Sequence, residues 1–157
     1  MFKELILIGM VISPTEEVDC LSKNMYYEAR SEGLAGMLAV TAVVLNRVKD
    51  KRFPNDVCGV VFQGPTTKSI RTPSVKYPIK NKCQFSWYCD GKSDTPLDIK
   101  SFAFARGLAY EILKGTFSYV DITEGALFYH AKSVKPSWSE VFKKTVVINE
   151  HKFYAWD

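Results

Sequence analysis

Ala, Val and Leu fill nearly every helical face of the stretch 34–49. That pattern predicts a helix buried on most sides, the candidate centre of a core. Ahead of it, a helix is predicted to start just after Asp19, whose carboxylate can cap free amides. It runs through Leu21, Met25 and Glu28 and ends near Gly33. Leu21 and Met25 share one face of that helix, and Asn24 and Glu28 share a neighbouring one. The texture changes over 53–96, where four of the seven prolines fall between Pro65 and Pro96. Long loops are predicted there, with a short helix near 56–62; loops of such length in a compact domain usually serve function or motion. A further helix is predicted over 99–113, with Phe102, Ala105 or Arg106, Ala109 and Leu113 spaced along it. Gly115 is placed to end it in the left-handed conformation. The last forty residues read as strand: 126–130 first, then 145–148 and 151–156 as a hairpin around Asn149-Glu150. Helices followed by strands predict an α+β domain in which the helical part dominates, with long central loops and a small C-terminal β-hairpin.

Length and composition narrow the class. One domain fits 157 residues, enough to bury a core without metal or heavy cross-linking. Ten Phe, eight Tyr and three Trp supply core and also suit a groove that stacks on sugar rings. The net charge of +4 favours an anionic partner. The basic residues are scattered apart from Lys49, Lys51, Arg52 and Lys80, Lys82, and no aromatic-basic pattern marks a nucleic-acid module. The apolar run 5–12 is too short for a membrane span, which takes about 20 apolar residues. It reads either as a minimal signal peptide ending near Ser13 or as an amphiphilic segment packed on the domain. Segment 1–18 is therefore set apart from a domain over 19–157.

Cys20, Cys58, Cys83 and Cys89 allow three pairings if all are bridged, and one or two disulfides or free buried thiols all fit. Cys83 and Cys89 lack the close spacing of common zinc sites, even with His130 and His151 as added ligands. No metal or organic cofactor is expected.

Two segments carry candidate chemistry. Glu28 lies in Met25-Tyr26-Tyr27-Glu28-Ala29-Arg30, at a helix end beside two tyrosines and backed by the apolar second helix. Desolvation there would raise its pKa and keep a proton available, as a general acid for glycoside cleavage requires. The bland alternative pairs Glu28 with Arg30 or another surface cation. The second segment, Cys83-Gln84-Phe85-Ser86-Trp87-Tyr88-Cys89-Asp90-Gly91, sets amide, hydroxyl and aromatic groups between two cysteines. Gln84 and Ser86 suit sugar hydroxyls and N-acetyl groups, while Asp90-Gly91 reads as turn chemistry. Tyr129-His130 and His151 with Tyr154 are further polar candidates. No Ser-His-Asp set, phosphate loop or H-E-x-x-H site is present.

These residues resemble the cell-wall hydrolase family typified by the catalytic domain of the spore-cortex-lytic enzyme SleB. The resemblance starts at Cys20-Leu21 and Asn24 to Arg30, with Glu32 and Gly36. It continues through Ala39-Val40, Val43 to Val48, Phe53-Pro54, Val57 to Val61, Cys83 to Trp87 and Cys89 to Gly91. It ends with Ala126 to His130, Pro136, Trp138, His151 and Phe153-Tyr154. Ser31 stands where the family usually has glycine, and Asn149 stands near a glycine usually found before the last His. Asn best tolerates a left-handed turn, so the hairpin should survive. The resemblance implies a lysozyme-like domain acting as a lytic transglycosylase on the bond from N-acetylmuramic acid to N-acetylglucosamine of bacterial peptidoglycan. Glu28 maps to the family's catalytic glutamate, and Gln84, Phe85, Ser86, Tyr129 and His151 would line the groove.

The implied partner is peptidoglycan, with no nucleic acid, no stable membrane span and a monomeric state. The implied place of action is the cell wall or periplasm, reached by export or by release from a host cytoplasm in the manner of a phage endolysin. A two-carboxylate hydrolase would need a second acid beside Glu28, for which Asp90 and Glu32 are the best remaining residues. A muramidase that uses water, a non-catalytic wall-binding module and a zinc-bound adaptor are the alternatives.

Overall fold

The computed structural model describes residues 14–157. The apolar run 5–12 and the candidate cleavage point near Ser13 lie outside the described residues.

Helix α1 spans Pro14–Ala29 and so starts five residues ahead of the expected start at Asp19. Proline fits a first helical turn, where its missing N–H is not needed, and Glu16 and Glu17 complement the positive end of the helix dipole. Asp19 is not the cap; it sits on the helix and pairs with Lys23 at 3.2 Å. A 3-10 turn over Arg30–Glu32 leads to helix α2, Gly33–Lys49. Gly33 has a left-handed φ of +69°, which breaks the helical run at a point where a side chain would be strained. By length and apolarity, 14–49 taken as one helix passes for a membrane span, and half of it is buried inside this domain. The break lets its two halves pack on each other.

Helix α2 is buried on two sides, as its all-round apolar pattern requires. Met37, Val40 and Val44 join Leu21 and Met25 of α1 in the main core. Ala39 and Val43 face the other way, against Ala126 and Phe153. Helix α3, Val57–Val61, is capped by Asp56, which accepts from the Gly59 N–H at 2.6 Å. Helix α4, Ile99–Lys114, is capped by Asp98 and stops at Gly115, whose φ is +80°. It lies along α1 and closes the core with Ala105, Leu108, Ala109 and Ile112.

The central segment has more structure than long loops. Strands β1 (Thr66–Lys68) and β2 (Lys76–Pro78) form an exposed antiparallel hairpin, and Ser86–Cys89 forms a 3-10 turn. Neither strand buries a face, so no alternation of apolar and polar residues could announce them.

The C-terminal part is a three-stranded antiparallel sheet of order β3-β5-β4, formed by Phe128–Ala131, Lys143–Ile148 and His151–Ala155. The two strands expected as a hairpin and the separate strand at 126–130 are thus one sheet. The hairpin turns at Asn149, with φ +48°. Tyr129 lies opposite Phe153, and Ala131 opposite His151. Opposed residues share a face, so Tyr129, His151 and Phe153 point towards the helices while Phe128, His130 and Tyr154 point away. The whole is an α+β fold of lysozyme-like type.

Candidate active site

Glu28 occupies the last turn of α1, where it meets the sheet. Tyr129 of β3 donates its phenol O–H to Glu28 Oε2 at 2.9 Å. Burial raises the Glu28 carboxyl above its ordinary range, and nearby Glu32 adds to the rise. The Tyr129 hydrogen bond and the positive charge of Arg47 act the other way. Burial and the Glu28 carboxylate together push the Tyr129 phenol well up, which fixes it as a donor. The result is a carboxyl group biased towards its protonated state, with one oxygen already engaged.

Arg30 does not neutralise it. Its guanidinium donates to the Tyr26 hydroxyl and lies over the Tyr26 ring at 4.5 Å. The same hydroxyl accepts from the N–H groups of Leu97 and Asp98, tying the start of α4 to α1. The expectation that Arg30 could be the partner of Glu28 fails because Tyr26 competes for it.

The sheet face beside Glu28 continues from Tyr129 to His151, whose rings meet edge to face at 5.1 Å. Nδ1 of His151 lies 2.8 Å from Glu32 Oε2. Glu32 Oε1 accepts from the Glu150 N–H at 3.1 Å, and Asn149 donates through its side chain to the Glu32 carbonyl at 2.9 Å. Asn149 therefore holds the left-handed turn, with φ +48°, and adds a clasp to the 3-10 turn that follows α1.

Phe85 is 3% exposed and packs in the main core, its ring 6.4 Å from Tyr129 and 5.3 Å from the Arg47 guanidinium. Its extended backbone alternates the side chains, so Gln84 and Ser86 stand exposed on either side of it. The Gln84 N–H donates to the Gln63 carbonyl at 2.9 Å and anchors the segment. Next to it, Trp87 donates to Asn24 at 3.0 Å and stacks on Tyr27 at 4.8 Å, binding this loop to α1. Of the six residues singled out in the sequence, the structure gathers Glu28, Tyr129, His151 and Phe85 into one cluster. Gln84 and Ser86 flank it. Asp90 takes part in a local turn, accepting from the Lys92 N–H at 2.8 Å.

Both disulfides form: Cys83 with Cys89 across the Gln84–Ser86 segment, and Cys20 with Cys58 between α1 and α3. With every cysteine paired, the sulfur ligands a zinc-bound adaptor would need are committed elsewhere.

Two features went unassigned in the sequence. Arg47 is 4% exposed, and nothing in its run of Val and Leu neighbours announces a buried charge near Glu28. The Glu32–His151 contact joins residues far apart in sequence and has no local signature. A groove of about 890 Å³ bordered by Val18, Gly107 and Leu113 shares no residue with the Glu28 cluster, so the chemistry and not cavity size marks the site.

Known proteins share this fold. The fold is similar to the crystal structure of the catalytic domain of the Bacillus cereus SleB protein, with a TM-score of 0.60 and 26% identity over 91% of each chain. It also resembles the SleB catalytic domain of Bacillus anthracis, with a TM-score of 0.58 and 23% identity over 92% of this chain and 98% of that one. In sequence, 47 residues are 43% identical to spore cortex-lytic enzymes of Bacillus subtilis strain 168 and Bacillus cereus. That stretch is 30% of this chain but only 15% and 18% of those enzymes. The family described as Cell Wall Hydrolase matches residues 31–154, beginning just past Glu28. By that match, over most of its length, the chain belongs to the cell wall hydrolase family, with a catalytic domain of SleB type.

Proposed function

We propose that this protein is a lytic transglycosylase that cleaves the bond from N-acetylmuramic acid to N-acetylglucosamine in bacterial peptidoglycan, with Glu28 as its acid and base. The observation that carries this reading is a buried carboxyl group with a phenol on one oxygen, whose carboxylate neighbour, Glu32, is turned towards Glu150 and His151. Glu32 is the nearest rival; its Oε1 accepts from the Glu150 N–H, and its Oε2 lies 2.8 Å from Nδ1 of His151. Asp90 is held in its own turn. A hydrolase with two working carboxyl groups is poorly served by that arrangement.

The proton bookkeeping closes with one residue. Protonated Glu28 gives its proton to the glycosidic oxygen as the bond from the muramic C1 breaks, and the N-acetylglucosamine leaves with a hydroxyl. The resulting Glu28 carboxylate takes the proton from the muramic 6-hydroxyl as that oxygen closes on C1. The product is a 1,6-anhydro end, no water is consumed, and Glu28 returns to its starting state. Burial favours the acid form for the first half, and the Tyr129 phenol supports the carboxylate in the second.

The exposed side chains of Gln84 and Ser86 are suited to bind sugar hydroxyls and N-acetyl groups, and His151 stands beside Tyr129. Phe85 acts from below, supporting Tyr129 and Arg47. The sequence relatives are spore cortex-lytic enzymes, which agrees with action on a peptidoglycan layer. Action on peptidoglycan places the work outside the cytoplasm. Mass spectrometry of a peptidoglycan digest tests the reading. Fragments ending in anhydromuramic acid are expected, and fragments carrying one more water, with reducing ends, would make the protein a muramidase.

A further inference from the structure

Arg47 is a buried cation without an obvious structural reason. It projects from α2 and is 4% exposed. Its Nε donates to the Leu127 carbonyl at 2.7 Å, while Nη1 has no hydrogen-bond partner. The rings of Phe53, Phe85 and Phe128 surround the guanidinium at 5.1 to 5.3 Å. Ring faces attract a cation, but they replace hydration only in part. Burying a charge with an unmet donor is costly, and an apolar residue of similar size would stabilise such a core more. Its position accounts for the exception. Leu127 directly precedes the strand that carries Tyr129, so the Nε bond fixes the height of that strand against α2.

We propose that Arg47 is a positioning residue for the cleavage: pinned by the Leu127 carbonyl and three rings, it supplies the buried positive charge that lets the Glu28 carboxylate form midway through the reaction. The groups facing Glu28 fit this role. Tyr129 bonds Glu28 from β3, and Arg47 of α2 lies 5.3 Å from the Phe85 ring, which in turn packs 6.4 Å from Tyr129. Within this cluster the Arg47 charge favours the Glu28 carboxylate and Glu32 opposes it. The coupling is mutual, since Glu28 and Tyr129 in turn hold up the Arg47 charge against a desolvation that lowers its pKa to about 10. Arg47 acts on Glu28 and does not touch the sugar. The proposal rests on the transglycosylase reading for its meaning in catalysis, but the coupling itself is measurable without it.

The test is a carboxyl-carbon NMR titration of Glu28 in the wild type, Arg47→Gln and Arg47→Lys, with the signal assigned by its loss in Glu28→Gln. An opposite charge nearby typically moves a carboxyl pKa by about 1–3 units, so Arg47→Gln should raise the midpoint by about one unit or more. Arg47→Lys keeps the charge and should titrate close to the wild type. Muropeptide release by Arg47→Gln should fall, by at most about tenfold per unit of midpoint change, with binding to insoluble wall intact. A folded Arg47→Gln protein with an unmoved midpoint would overturn the proposal. Should that variant fail to fold, a midpoint in Arg47→Lys that departs from the wild type would overturn it, as would loss of the fold in both. A moved midpoint with unchanged release would overturn the role of Arg47 in cleavage, whereas near-normal release by Glu28→Gln would mark a failure of the transglycosylase reading itself.

Discussion

At the residue scale, the site is a balance between burial and two compensating groups. Glu28 is raised by desolvation, and Tyr129 is the closest group that pulls it back. Tyr129→Phe removes that pull while keeping the ring contacts with His151 and Phe153. Glu28 would then hold its proton to higher pH, so the alkaline limb of the pH–activity profile should move up while maximal turnover falls. A profile measured on purified wall checks this; a limb that moves down would mean Tyr129 does not stabilise the carboxylate. The same raised pKa has a signature in stability. Its contribution is fully present below the ordinary carboxyl range and is lost as pH rises through the folded-state value. Glu28→Gln should therefore melt above the wild type at neutral pH and lose that advantage in acid, which thermal melts across pH will read. Glu28 was legible from its own neighbours, because two tyrosines and an apolar helix already imply a dry carboxyl group. Arg47 was not, since its partners Leu127 and Phe128 lie some eighty residues away.

At the scale of elements, two disulfides serve different ends. Cys20–Cys58 spans 38 positions and joins α1 to α3, whereas Cys83–Cys89 spans 6 and shapes the segment that presents Gln84 and Ser86. In the chain-entropy account the longer loop stabilises by about 4 kcal/mol and the shorter by about 2 kcal/mol. Replacing Cys20 and Cys58 by serine should cost more in unfolding free energy yet spare turnover of the surviving folded protein. Replacing Cys83 and Cys89 should cost less stability and more activity. Denaturant unfolding beside muropeptide release separates the two, and the reverse ranking would contradict the division of roles. The helices were readable because each carries a strong signal: the all-round apolar run of α2, the Asp98 cap and the Gly115 stop of α4. The start of α1 was misplaced because Asp19 looks like a cap, while Pro14 and the two glutamates after it form an equally good first turn. The β1–β2 hairpin was hidden by its full exposure, and the joining of β3 to β5 is a long-range pairing without a local mark.

At the scale of the whole molecule, the helices supply the proposed acid and its buried cation, and the sheet supplies the phenol that bonds to it. Glu28 and Arg47 come from α1 and α2, Tyr129 and His151 from β3 and β5, and the Glu32 clasp holds the two parts in register. The net charge of +4 adds a longer-range attraction to an acidic wall. Exposed charges are screened beyond about 10 Å at 0.1 M salt, so pull-down with insoluble peptidoglycan should weaken across a salt series. Binding that stays flat would assign the affinity to aromatic and hydrogen-bond contacts. The central claim is that Glu28 alone moves the proton, and one comparison tests it most directly: release of soluble muropeptides by wild type, Glu28→Gln and Asp90→Asn at equal amounts of folded protein. Loss of general acid–base catalysis typically costs about 10²–10⁴-fold, so Glu28→Gln should lose release on that order while still binding intact wall, and Asp90→Asn should keep most of it. Near-normal release by folded Glu28→Gln would contradict the account.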